Sequence, residues 1–292
     1  MSERGPSRTA AYVALFRALE TRLPDDKRLF SDPFADAFLD GRLGAALAAA
    51  KVPVTGGAVS QIIDRSWPGT MASVIVRTRY IDEVLQAAIE DGIRQVVVLG
   101  AGFDARAYRL EAAARARVFE VDELATQAAK RERIVRRLGS EPANVTWVGV
   151  DFERDDLAEA LHGAGLDPEA RAIFIWEGVA VYLTPEAVDE TLRAVTSVGV
   201  PGSRIVFTYL DRRVLDGKIK PPGAEATMNR VSRAGEPFRF GLEPDEVAGW
   251  LADRGLELID EVSTVELAER YLHPRGRRPP TSPLFRLALA TY

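Results

Sequence analysis

The sequence predicts an α/β fold: a mostly parallel sheet covered by helices on both faces, with an antiparallel hairpin at one edge and a helical cap before the first strand. Three observations carry this expectation. Beyond Gly92, short apolar runs alternate with helical segments, the order expected when crossover helices join parallel strands. Runs such as Val96–Leu99 and Ile173–Trp176 are apolar at successive positions, which suits strands buried on both faces. The chain then ends on two strand-like runs, Leu256–Val262 and Leu284–Thr291, separated by a long connection that suits an antiparallel edge.

The elements follow in order. Residues 9–21 place Val13, Phe16 and Leu19 on one helical face. Asp32-Pro33 reads as an N-cap and a first-turn proline opening a helix through Leu39. Gly56-Gly57 is a break, and residues 70–90 carry Val74, Ile81, Val84, Leu85, Ala88 and Ile89 at helical spacing. The segment 1–90 is therefore expected to be a helical cap or lid belonging to the same domain as a core over 91–292. Within that core, strands are expected at Val96–Leu99, Arg117–Val121, Val145–Val150, Ile173–Trp176 and Arg204–Tyr209. Helices are expected from Asp104 to about Ala114, over Leu124–Leu138, over Leu157–His162, and from the Thr184-Pro185 cap to about Ser197. Segment 211–240 reads as a charged, Gly- and Pro-containing insertion with a helix at Ala224–Arg233. Glu243-Pro244 opens a helix through Arg254, and Arg275–Pro283 reads as a basic loop.

Bulk properties narrow the function classes. A chain of 292 residues is long enough to bury a large core. A net charge of −5 argues against nucleic-acid binding through bulk electrostatics. Having no cysteine, the chain makes no disulfide and no thiolate metal site, and no metal is expected. Met1–Arg8 is polar, without the apolar region of a signal peptide, and no uncharged run approaches the ~18 residues of a membrane span. A cytoplasmic protein without membrane contact is the expectation; the sequence assigns no oligomeric state.

The chemistry concentrates at strand ends. Val98-Leu99-Gly100-Ala101-Gly102-Phe103-Asp104-Ala105 is a strand running into a Gly-x-Gly turn, where glycine lets backbone approach a ligand closely. It also satisfies the dinucleotide pattern G-x-G-x-x-A. Asp122, about twenty residues on, ends the second strand, where a carboxylate accepts hydrogen bonds from a ribose diol. Asp104 argues against a dinucleotide, because an acid in the first turn opposes a pyrophosphate at that helix start. A sulfonium and an ammonium, as in S-adenosylmethionine, tolerate or favour it. Asp151-Phe152 closes the third strand; the acid is placed to accept from an adenine amino group and the ring to lie on the purine, while Asp151 as a turn cap is the alternative. Glu177 interrupts the apolar run Ile173–Leu183 and needs a cationic partner, with Arg204 or Arg193 as structural options.

These segments, together with Arg77-Thr78-Arg79-Tyr80-Ile81-Asp82 and Trp176-Glu177-Gly178-Val179-Ala180-Val181-Tyr182-Leu183-Thr184-Pro185-Glu186, resemble the leucine carboxyl methyltransferase family over about residues 8–210. The resemblance is nearest to an actinobacterial branch of S-adenosylmethionine-dependent methyltransferases that includes polyketide carboxyl methyltransferases. It implies a Rossmann-like class I methyltransferase sheet. It further implies that Arg77 or its neighbour Arg79 holds the cofactor carboxylate, Gly100 (with Gly102 in the same turn) contacts the methionine part, Asp122 binds ribose, Asp151-Phe152 binds adenine, and Glu177 meets the ammonium. The basic residue that the eukaryotic members use near the N-terminus has no lysine counterpart here, and Arg8 or Arg17 stands nearest in type. Tyr182 is the candidate for orienting the acceptor, and no general base is assigned: the two histidines, His162 and His273, lie outside these motifs. A carboxylate acceptor, already ionised at neutral pH, needs no base, whereas a phenol does. The expectation is therefore an O-methyltransferase acting on a small-molecule carboxylate. A phenolic O-methyltransferase, an NAD-dependent oxidoreductase and a non-catalytic cofactor-binding protein are the alternatives.

Overall fold

A computed structural model describes residues 8–50, 68–221, 223–233 and 235–292; the Gly56-Gly57 break lies outside them. The strands β1 (Gln95–Leu99), β2 (Arg117–Asp122), β3 (Val145–Gly149), β4 (Ala172–Trp176), β5 (Arg204–Asp211), β7 (Glu257–Ser263) and β8 (Phe285–Thr291) form one sheet in the order β3-β2-β1-β4-β5-β8-β7. Strands β1 to β5 are parallel, β8 runs antiparallel between β5 and β7, and a two-residue β6 (Gly241–Leu242) pairs with β5. The α/β sheet with its antiparallel edge is thus as predicted. The chain begins the sheet in its middle, so the order reverses between β1 and β4, the position where open α/β sheets take ligands.

The apolar runs are explained by two-sided burial. Val97, Leu99, Phe119, Phe174, Trp176 and Phe207 enter one core, with α6 (Leu157–Gly163), α7 (Pro185–Val198) and α10 (Val247–Ala252). Val96, Val98, Val118, Ile173, Ile175 and Val206 enter the other, against α3 (Thr70–Glu90) and α11 (Thr264–Tyr271). Alternate residues of one strand feed opposite cores, which is why no polar position interrupts them.

A third core joins the N-terminal helices to the sheet. Helix α1 (Arg8–Thr21) packs with α2 (Gly41–Ala49) and the short turn Ala35–Phe38. Phe38 stacks on Phe103 at 4.8 Å, so this helical layer sits directly on the turn after β1. Phe103, Ile134 of α5 (Leu124–Leu138) and Val231 of α9 (Ala224–Arg233) complete it.

Four local expectations are corrected. The helix expected over 104–114 is split into α4 (Arg106–Arg109) and a 3-10 turn at Glu111–Arg115, because Leu110 is extended. The Asn144 amide donates to the carbonyls of Ala107 and Ala113, supplying from outside the bonds a continuous helix would have made. Asp32 does cap, accepting from the N–H groups of Phe34 and Ala35, but the turn it opens is 3-10. Pro244 likewise starts a 3-10 turn, with α10 beginning at Val247. Helix α11 has no counterpart among the expected elements, although Ser263 and Glu266 form a reciprocal capping box at its start. The short α8 (Arg212–Leu215) completes the helices described.

Candidate active site

The two turns that flank the reversal point face each other. The first follows β1, with Gly100 at φ +65° and Gly102 at φ +46°. These values favour glycine, and a Cβ on Gly100 would overlap the Val179 Cγ2 methyl and stand 3.0 Å from its Cγ1. Val179 belongs to the second turn, after β4, so the Gly100 contact is what lets the two turns close on each other.

Asp122 braces the first turn from β2. One carboxylate oxygen accepts the Gly102 N–H and the other accepts the Glu123 N–H at 2.7 Å. Burial pushes its carboxyl above the ordinary range, against the pull of those two N–H groups. Asp151 stands beyond β3, next to Asp122 in the sheet through the Asp122–Gly149 register. It caps a local turn, accepting from Glu153 N–H at 3.0 Å, while Phe152 packs against the first core.

Glu177 opens the second turn, with its side chain only 10% exposed. Its cationic partners are neither Arg204, which pairs with Asp91, nor the exposed Arg193. Arg77 Nε of α3 donates to Oε1 at 2.8 Å, and Arg106 Nη1 of α4 donates to Oε2 at 2.7 Å. Of the two candidate arginines, Arg77 is therefore the one at Glu177; Arg79 pairs instead with Glu83. Sequence reasoning missed Arg106 as a partner, though its place two residues after Asp104 was a signal: Asp104 accepts both its backbone N–H and its guanidinium.

The pairing continues inward. Arg106 Nε donates to Asp82 at 2.8 Å, and Asp82 also takes two bonds from Arg109. Arg109 lies 3.9 Å from Asp32, which pairs with Arg17 of α1. Arg17 also donates to the Phe103 carbonyl. Four arginines and three carboxylates thus alternate from Arg17 of α1 through Glu177 to Arg77, and Asp104, a branch on Arg106, brings the formal charges to balance. Burial pushes the Glu177 and Asp104 carboxyls up, but the Arg106 charge, joined by Arg77 at Glu177 and by Lys130 and Arg17 at Asp104, outweighs it and holds both below the ordinary range.

This sets a pH dependence. Two carboxyls with depressed folded values bind fewer protons folded than unfolded, so their stabilisation is present above the ordinary carboxylate values and lost as pH falls through and below them. Asp122 and Glu120, both raised by burial, act in the opposite sense, while Glu266, held down first by the Ser263 hydroxyl and then by its backbone N–H, adds to the depressed pair. The expected result is a steady urea midpoint from about pH 7 down to about pH 5 and a steep fall below about pH 4. An unchanged midpoint at about pH 3 excludes the depressed pair.

Tyr182 lies one turn further along. Its ring stacks on Phe238 at 5.4 Å, its hydroxyl meets Thr9 of α1, and burial and then the nearby Glu236 carboxylate push its ionisation up. The Thr9 hydroxyl donates to Glu236. The basic loop is not merely solvated: Arg277 binds both oxygens of Glu20 on α1, at 2.7 and 2.8 Å. A second buried cluster, Lys130–Glu120 at 2.6 Å with Tyr108, underlies the first turn.

The family model for leucine carboxyl methyltransferase matches residues 10–196, which spans both turns and the charge chain. The chain belongs to the leucine carboxyl methyltransferase family. A Mycolicibacterium smegmatis protein assigned the name S-adenosyl-L-methionine-dependent methyltransferase is 41% identical over 212 residues, covering 71% of this chain and 68% of its own length. A Streptomyces avermitilis protein assigned the same name is 34% identical over 273 residues, covering 93% and 89%. The fold is that of the Thermobifida fusca protein described as a methyltransferase in its crystal structure, with a TM-score of 0.60 at 18% identity over 99% of this chain and 96% of that one. A Streptomyces avermitilis structure of the DUF574 family gives 0.58 at 14% identity, covering 96% of each chain. The family member described here is thus an S-adenosylmethionine-dependent methyltransferase on a class I fold, not an oxidoreductase.

Proposed function

We propose that this methyltransferase esterifies a carboxylate of a small molecule, of the polyketide or other secondary-metabolite class, with the cofactor seated across the β1/β4 reversal point. The observation that supports this seat for the cofactor is the Arg77–Glu177 pair, two opposite charges 2.8 Å apart on side chains 6% and 10% exposed. The amino-acid end of S-adenosylmethionine is a zwitterion, so its carboxylate and ammonium match the pair charge for charge. Asp122 supports the same pose: each of its oxygens accepts one backbone N–H and keeps a lone pair for a ribose hydroxyl. In this reading Arg77 holds the carboxylate, Glu177 the ammonium, Gly100 and Gly102 the methionine part, Asp122 the ribose, and Asp151-Phe152 the adenine.

The bound cofactor supplies an electrophilic methyl group on its sulfonium. The protein's part is then placement and exclusion of water. The 1–90 segment serves as the lid and the 211–240 insertion as the roof, supported by the Phe38–Phe103 stack and the Tyr182–Phe238 stack. Tyr182 orients the acceptor. A carboxylate acceptor is ionised at neutral pH and needs no base. A phenol acceptor is the second reading, favoured by the Glu236 carboxylate beside Tyr182, which would serve as base. A cytoplasmic place is part of the proposal; among the described residues no helix is long and apolar enough to cross a membrane.

The test is transfer from methyl-labelled cofactor to a panel of aromatic and aliphatic acids and matched phenols. The expected product loses its label as methanol in mild base. A base-stable product confined to the phenols overturns the ester assignment and gives the second reading its place.

A further inference from the structure

We infer that Arg106 is the positioning residue for the amino-acid end of the cofactor: it anchors Glu177 so that Arg77 is free to change partners. The inference rests on the roles proposed above for Arg77 and Glu177. It starts from an asymmetry between the two guanidiniums that share Glu177. Arg106 is almost wholly buried and is gripped on its other edges by Asp82 at 2.8 Å, by Asp104 and by the Thr78 carbonyl at 3.4 Å. Arg77 has the Phe285 ring at 5.9 Å and, through Nη2, the backbone of Gly178, where a Cβ would stand 3.2 Å away. Among the described residues, then, Arg106 is held by three further groups, whereas Arg77, though buried as well, leans on an aromatic face.

The charges decide what this asymmetry does. A zwitterion entering at the pair gives its carboxylate to Arg77 and its ammonium to Glu177 Oε1, the oxygen that Arg77 leaves. Glu177 Oε2 keeps Arg106 throughout, so the glutamate is never left as a lone buried charge. The interior remains neutral before and after, because the arriving group carries both signs. Without Arg106, Glu177 would depend on Arg77 alone, and the ion pair would resist the exchange. Arg106 also fixes the direction of Glu177, since a planar guanidinium bonds one oxygen along a defined line.

The experiment compares S-adenosylhomocysteine with 5′-methylthioadenosine, which carries the adenosine but no amino-acid end. For Arg106→Lys, which keeps the charge but not the fork, we expect at least a tenfold loss of S-adenosylhomocysteine affinity, about one hydrogen bond to a charged group, and unchanged 5′-methylthioadenosine affinity by calorimetry. Equal loss of both ligands by a protein folded by circular dichroism, or loss of neither, overturns the proposal. If Arg106→Lys does not fold, Asp82→Asn decides by the same comparison, with a loss of about threefold confined to S-adenosylhomocysteine. Arg77→Met locates any failure. If it too leaves the ratio of the two affinities unchanged, the reading of the cofactor site is wrong; if it alone shifts the ratio, only the role of Arg106 is wrong.

Discussion

An Arg106→Met variant is expected to lose about 3–5 kcal/mol of folding stability, the cost of leaving buried charges without their partner. Methionine fills much of the space but abandons Asp82, which is buried, and Asp104 and Glu177, whose side chains are nearly so. Arg109 still covers Asp82 and Arg77 still covers Glu177, which keeps the loss within that range. Asp104 fares worst, because Arg106 supplies both its guanidinium contact and the main charge that offsets burial. Against a total stability of about 5–15 kcal/mol, such a loss leaves a marginal protein. Urea unfolding checks it, with Arg136→Met as the reference: the exposed Arg136–Glu132 pair is worth about 0–1 kcal/mol. A loss at Arg106 no larger than at Arg136 means the chain of charges contributes nothing.

A Gly100→Ala variant is expected to lose about 2–5 kcal/mol and at least tenfold in S-adenosylhomocysteine affinity. Two costs add. An alanine at φ +65° is strained by about 1–2 kcal/mol, and a methyl group forced against Val179 adds about 1–3 kcal/mol of overpacking. The turn must shift to relieve them, and Gly102 and its bond to Asp122 shift with it. The Gly100→Ala/Val179→Ala double variant separates the two: it should regain the packing share and keep the backbone strain. If the double variant regains nothing, Val179 is not what confines Gly100.

Most of the sheet is legible in the order of residues, for a reason visible in β1 and β4. Val96–Leu99 and Ile173–Trp176 are bounded, wholly apolar and too short for helices, and two-sided burial is the remaining way to hide them. Helices α3 and α5 match their expected spans because their apolar spacing and ends agree with what the tertiary structure needs. Where local preference and tertiary contacts diverge, the expectation fails. The alanine-rich run after Glu111 invites a helix, but Asn144 in a distant loop binds one carbonyl on each side of the extended Leu110. Helix α11 escapes notice although Ser263 and Glu266 announce it, because the basic loop beyond it draws the segment into a single connection. At the site, the strand-end positions of Gly100, Asp122, Asp151 and Glu177 are visible in the sequence. The company each keeps is not: Asp122 braces the glycine turn, Asp151 caps its own turn, and Glu177 is shared between two arginines.

Neighbouring residues alone are enough for the α/β alternation, the Gly-x-Gly turn, the acids at the strand ends and the family, because there spacing and side-chain type act directly. Long-range packing settles the rest: that Arg77 rather than Arg79 meets Glu177, that Arg106 is the second partner, that Val179 confines Gly100, and that four arginines and four carboxylates form one neutral cluster from α1 to the site. The Arg77–Glu177 contact joins residues a hundred positions apart. A buried charge must find an opposite charge, but any of several arginines satisfies that demand on paper. Only the packing of α3, α4 and the turn after β4 brings two particular guanidiniums within hydrogen-bond reach of one carboxylate.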